Sequence, residues 1–168
     1  MNRDTLRALQ APLKEQYRED PAAARVQLRA SGALDPERLA CRVETPAGPV
    51  EAGLHAAAGG DGTGACSGEM LLEALVACGG VTVSAVATAL GLTLRGGIVR
   101  AEGDLDFRGT LGVSKDVAVG FHAIRLTFEL DVDANEEQRE SLARLTERYC
   151  VVAQSLKPPP VVNVLLRT

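Results

Sequence analysis

The stretch from Met70 to Leu90 constrains this chain more than any other, because it is almost wholly apolar, with only Glu73, Thr82, Ser84 and Thr88 as polar interruptions. Apolar positions on every side predict a helix buried nearly all round rather than one lying on a surface. Its length also approaches that of a membrane span, roughly 20 apolar residues. It is rich in Ala and Gly rather than Leu and Ile, however, and no second such stretch follows, so a soluble central helix is expected. Ser67 is the expected N-cap, with Glu69 in the first turn favouring the helix dipole, and Gly91 the expected stop. Gly79 and Gly80 should weaken or bend the helix just after Cys78.

A core has to form around that helix from small side chains. Apolar residues make up 46% of the 168 positions, but aromatics only 3%, and there is no Trp. Ala, Val, Leu and Gly let elements approach closely and offer little for stacking on bases. One domain is expected over residues 21–168, with residues 1–20 as a helical extension, because Leu6, Leu9, Leu13 and Tyr17 share one helical face and Pro21 closes the segment.

Beyond Ala24 the period changes to two. Val26 and Leu28, then Cys41 and Val43, then Val50, Ala52 and Leu54 alternate with polar residues, separated by Ser31-Gly32, Asp35-Pro36 and Pro46-Ala47-Gly48, which predicts three short antiparallel strands. The Gly-rich run AGGDGTGACSG lacks both GK[ST] and GxGxxG, so it reads as a loop leading into the helix rather than a phosphate cradle. After Gly91 a long strand is expected over Leu92 to Phe107, with Leu94, Ile98, Ala101, Leu105 and Phe107 inward around an irregularity at Gly96-Gly97. A second runs from Val119 to Val132, with Phe121, Ala123, Ile124, Leu126, Phe128, Leu130 and Val132 inward, and RGTLGVSKD joins the two as an exposed turn. Asp133 or Asn135 caps a helix with Leu142, Leu145 and Tyr149 on one face. The helical pattern restarts at Cys150, stops at Pro158 to Pro160, and VVNVLL makes a closing strand.

The net charge of −4 comes from interspersed residues, so nothing marks a nucleic-acid or anionic-membrane partner. The opening MNRDTLRALQ has no apolar signal core, and a cytoplasmic location is the expectation. The four cysteines at 41, 66, 78 and 150 include no CxxC, and His55 and His122 lie far apart. That ligand supply argues against structural zinc or haem, and no cofactor is indicated. Cys150 sits where a helix begins, a place that stabilises a thiolate, whereas Cys78 in mid-helix needs a neighbouring cation. Cys41 reads as core, Cys66 as incidental, His122 as surface, and His55 as a candidate to line a pocket.

Taken in order, SGEMLLEALVACGGVTVSAVATALG, the strand ending AEGDLDFRG, GFHAIRLTFELDVDA, LTERYC and CVVAQSL resemble the OsmC/Ohr family over roughly residues 24–168. The resemblance implies an α+β fold in which curved antiparallel sheets wrap two buried central helices of an intertwined homodimer. It also implies reduction of organic hydroperoxides through a cysteine pair, Cys78 matching the attacking residue and Cys150 the resolving one, with electrons from a dithiol partner. Family peroxidases carry a Glu ten residues before the first cysteine; here that position is Gly68, and Glu69 follows it. The family arginine falls near RASGALDPER, which makes Arg29, Arg38 and Arg42 the candidates. The second motif opens Cys-Pro-Val in the family and Cys150-Val151-Val152 here. Met70, Leu71, Val81 and their dimer mates would wall an apolar pocket. The alternative reading is a dimer that binds a small apolar or sulfur-containing ligand without peroxide chemistry.

Overall fold

The computed structural model describes residues 1–156. The expected closing strand VVNVLL lies outside the described residues.

Helix α1 (Arg3–Glu19) starts where the Asn2 side chain accepts the Thr5 N–H at 2.9 Å, and runs through Pro12. It packs against the central helix, yet none of its residues is buried, and Leu9, Leu13 and Tyr17 face outward. Strands β1 (Gly32–Asp35), β2 (Ala40–Val43), β3 (Val50–Gly53) and β4 (Ala65–Cys66) form one sheet in chain order, antiparallel except for the parallel β3–β4 pair. The alternation at Val26 and Leu28 does not make a strand. Those side chains are 74% and 86% exposed, and the first strand begins instead at Gly32, where a break was expected. Gly32 is needed there, because a Cβ would sit 2.8 Å from the Cys41 Sγ. The Asp35-Pro36 turn does close the first hairpin, with Asp35 accepting the Arg38 N–H at 3.2 Å.

Helix α2 (Ser67–Leu90) is the predicted central helix. Its N-cap is Cys66 rather than Ser67, and no side chain caps it. At the other end Gly91 adopts φ 73°, its N–H bonding the Thr88 carbonyl at 3.1 Å while Leu92 N–H reaches Ala87 at 2.9 Å, a Schellman arrangement. Two of the polar interruptions bond within the helix itself: Ser84 Oγ donates to the Gly80 carbonyl and Thr88 Oγ1 to that of Ser84. The helix runs unbroken across Gly79-Gly80. Gly79 serves packing, since a Cβ there would meet Leu126 and Phe128 at 3.2 Å. Within one chain α2 is buried on one side only, at Leu75, Gly79, Val83, Val86 and Ala87, and not all round; Leu71 and Val81 remain exposed. By length and composition alone α2 could cross a membrane, but here β5, α4 and α5 pack on it.

Strands β5 (Thr93–Leu105) and β6 (Phe121–Asp133) form a long antiparallel pair. A bulge at Arg95 shifts the side-chain alternation by one, so Val99 turns inward with Ala101 and Leu105, and the expected Ile98 is 53% exposed. A second shift opposite Asp104-Leu105 leaves Phe121 inward and Ala123 out. Phe107 belongs to the short helix α3 (Phe107–Thr110), so the connection is partly helical rather than a plain turn. The outer face of the pair carries cross-strand ion pairs, Arg95–Asp131, Arg100–Glu129 and Arg125–Asp104. Helix α4 (Glu136–Tyr149) begins with a capping box between Asn135 and Gln138, and α5 (Val151–Ser155) follows after Cys150. The core joins Val83, Val86 and Ala87 of α2 to Leu142, with Leu92, Leu94, Phe128, Leu130 and Leu145 around them. Leu142 and Leu145 face inward as expected, whereas Tyr149 is 58% exposed.

Candidate functional site

Cys78 and Cys150 come together where α5 packs on α2. Cys150 occupies the joint between α4 and α5. Its backbone is extended, its N–H closes α4 on the Thr146 carbonyl at 3.0 Å, and its carbonyl opens α5 by accepting Gln154 N–H. The N–H groups that begin a helix have no partner within it. Here they have one outside it: the Val152 N–H, and secondarily that of Val151, are directed to the Cys78 sulfur.

The two thiols are driven apart in acidity. Cys78 is lowered from the ordinary cysteine value, chiefly by the Val152 N–H; burial opposes this, and the Cys150 S–H, the Thr82 hydroxyl and the Val151 N–H assist. Cys150 has no exposed surface, and burial raises its thiol, helped by the hydrogen bond to Cys78 and the charge there, against the opposing Ala153 N–H. The arrangement therefore makes Cys78 the more acidic of the two thiols and Cys150 the less acidic. Both cysteines are free thiols. The two thiols are close enough to act on one another's acidity; a disulfide between them requires the sulfurs to meet at ~2.05 Å.

No charged side chain is among the groups that lower Cys78. Within one chain the structure does not bring Glu69, Arg29, Arg38 or Arg42 to the pair. Arg38 bonds Glu51 across the β-sheet and lies 4.0 Å from Asp35, Arg42 lies 3.6 Å from Glu44, Arg29 bonds Gln27 at 2.8 Å, and Glu69 is exposed. His55 stacks on Phe107 with ring centroids 5.0 Å apart, and its Nδ1 accepts the Ala57 N–H, so it fixes a turn instead of lining the thiol site. Cys41 is half-buried in β2, Cys66 half-buried at the start of α2, and His122 exposed. Among the described residues no three His, Cys, Asp or Glu side chains converge as a metal site requires. The sequence reading missed Thr82, which stands four residues after Cys78 and so on its helical face, and it missed the amides of Val151 and Val152.

The chain matches the sequence model of the family described as OsmC-like protein over residues 60–165. No curated protein matches it. Its fold is that of several solved structures. An OsmC-like protein from Mycoplasma pneumoniae superposes with TM-score 0.65 at 15% identity, over 79% of this chain and 89% of that one. An organic hydroperoxide resistance protein OsmC from Legionella pneumophila gives 0.61 at 16%, over 80% and 93%. The organic hydroperoxide resistance protein OhrB of Bacillus subtilis gives 0.54 at 16%, over 78% and 92%.

Proposed function

Because this chain belongs to the OsmC-like protein family, we propose that it is a cytoplasmic, homodimeric thiol peroxidase that reduces organic hydroperoxides through Cys78 and Cys150. The observation that carries this reading is the neighbouring thiol pair, one member made more acidic and the other buried and made less acidic. Two structural relatives named for organic hydroperoxide resistance support it.

In the first step the Cys78 thiolate attacks the terminal peroxide oxygen. The O–O bond breaks, Cys78 becomes a sulfenic acid, and the alkoxide leaves as the alcohol once it gains a proton. Cys150 sulfur then displaces hydroxide from the sulfenic acid, which departs as water with the Cys150 proton and leaves a Cys78–Cys150 disulfide. A dithiol reductant exchanges with that disulfide, restores both thiols and leaves as its own disulfide. Leu71 and Val81 lie seven residues before and three after Cys78, on the same helical face, and are exposed. With Met70 and the facing residues of a second copy they would wall an apolar entry for alkyl hydroperoxides. We assign the tuning of the thiolate to Val152, Val151, Thr82 and Cys150; any contribution from Glu69, Arg38 or Arg42 would come from the second subunit.

One observation favours a second reading, a dimer that binds a small apolar or sulfur-containing ligand without turnover: no cation is among the groups acting on Cys78. Consumption of cumene hydroperoxide by the purified protein with dithiothreitol separates the two. The peroxidase turns over, loses turnover in Cys78→Ser, and, when Cys150→Ser is treated with hydroperoxide without dithiothreitol, accumulates a sulfenic acid. Absence of turnover with both thiols titrating normally overturns it.

A further inference from the structure

Cys78 and Cys150 differ in how far solvent reaches them. Cys150 has no exposed surface. Its backbone is pinned on both sides, the N–H on the Thr146 carbonyl and the carbonyl on the Gln154 N–H, each at 3.0 Å. The Gln154 side chain ties α5 back to α4 as well, donating from Nε2 to the Glu147 carbonyl at 2.9 Å. Bringing Cys150 to the surface would break the last bond of α4, the first of α5 and that tie. One turn back along α4, Thr146 is buried too. Cys78, by contrast, is half-buried. The next residue, Gly79, closes one side of α2 against Leu126 and Phe128, whereas Val81, one turn along, and Val151, whose N–H assists Cys78, are exposed. The solvent-facing member of the pair is Cys78.

Thiol–disulfide exchange runs in line, the attacking thiolate meeting one sulfur on the side opposite the sulfur that leaves, so access decides which sulfur is attacked. We infer that in the catalytic cycle proposed above, on which this rests, the dithiol reductant attacks Cys78 and not Cys150. The reductant's thiolate gives its electron pair to the Cys78 sulfur. A bond joins reductant and Cys78, the Cys78–Cys150 bond breaks, and Cys150 leaves as a thiolate that takes up a proton, the equal of the one the reductant gave up. The reductant's second thiol loses its proton to solvent and attacks the reductant's own sulfur; Cys78 leaves as a thiolate and the reductant departs as its disulfide. Cys78 thus meets both oxidant and reductant, and Cys150 meets neither. Acidity opposes this order, because Cys78 is the better leaving group of the two. Access outweighs it, since a sulfur without exposed surface presents no line of attack.

The test starts from the wild-type disulfide made with diamide, so that it does not depend on peroxide turnover. The oxidised protein is mixed with 2-mercaptoethanol, a monothiol that cannot release itself by cyclising. It is then quenched with acid at early times, unfolded, capped with N-ethylmaleimide and mapped by peptide mass spectrometry. The mercaptoethanol adduct is expected on Cys78 and the maleimide on Cys150, with the reverse isomer at least about tenfold rarer, as access to sulfur dictates. Adducts on Cys150, or comparable amounts on both, overturn the inference. So does failure of diamide to join Cys78 to Cys150, or a disulfide that 2-mercaptoethanol does not open. If cumene hydroperoxide leaves both thiols reduced while the diamide disulfide still opens with its adduct on Cys78, the peroxidase reading is overturned and the order of exchange is supported.

Discussion

Replacing Thr82 with Val removes one donor from the Cys78 thiolate while keeping the shape of the side chain. A hydrogen bond to an ionised acceptor is worth ~1.5–3 kcal/mol when dry. Cys78 is only half-buried and sulfur is a weaker acceptor than oxygen, so solvent reduces this to about 1 kcal/mol. At 1.4 kcal/mol per tenfold, the thiolate population at neutral pH should fall roughly threefold to tenfold, and alkylation of Cys78 by iodoacetamide with it. The sign follows from the direction of the shift. Cys78 ionises more readily in the folded protein than in the unfolded chain. Its thiolate therefore contributes stability that is present above the unfolded value of about 8.5 and is lost as pH falls through the folded value. Wild type and Thr82→Val should thus differ in urea stability at alkaline pH and converge at pH 6. Alkylation rates should differ at pH 7 and converge at high pH, where the thiol is ionised in both. Equal rates at pH 7 would refute the reasoning. So would one constant ratio at every pH, because that would make Thr82 a matter of access instead of ionisation.

Two further perturbations test the frame that holds the site. Gly79→Val should cost about 1–3 kcal/mol in urea unfolding, because a Cβ already meets Leu126 and Phe128 at 3.2 Å and the further methyls must displace Phe128 from the core. Asn135→Ala should lower stability by about 1 kcal/mol in the same assay, since it removes the side-chain oxygen that accepts the Gln138 N–H at the start of α4.

What the chain declares in its residues and what it conceals divide along physical lines. The central helix and the alternation from Ile124 to Val132 are legible because burial imposes apolar identity at each inward position. Ile98 and Ala123 mislead because a bulge changes facing without changing composition, and the side-chain period then resumes one place out of step. Val26 and Leu28 mislead for another reason: alternation shows only that two residues share a side, and with no strand opposite them among the described residues both are exposed. Gly32–Asp35, short and mostly exposed, pairs with β2 through its backbone and shows almost no apolar signal. At the site the resemblance pointed to both cysteines and to an arginine beside Cys78. The chief donors to Cys78 are instead main-chain N–H groups, which every non-proline residue possesses and which no residue identity can announce.

That substitution of amide for arginine bears on Val151. A proline at the first helical position is favoured because its missing N–H is normally surplus there. In this chain the Val151 N–H is not surplus, since it assists the Cys78 thiolate, although less than the Val152 N–H does. Val at this position therefore retains a donor that proline would delete. The same helix start separates the roles of the two sulfurs: it directs its first amides at Cys78 while burying Cys150 completely at the joint behind them. Environments that push two like groups in opposite directions assign one to ionise and the other to keep its proton. Under the proposed peroxidase function that difference makes Cys78, the more acidic thiol, the sulfur that attacks, and Cys150 the sulfur that resolves.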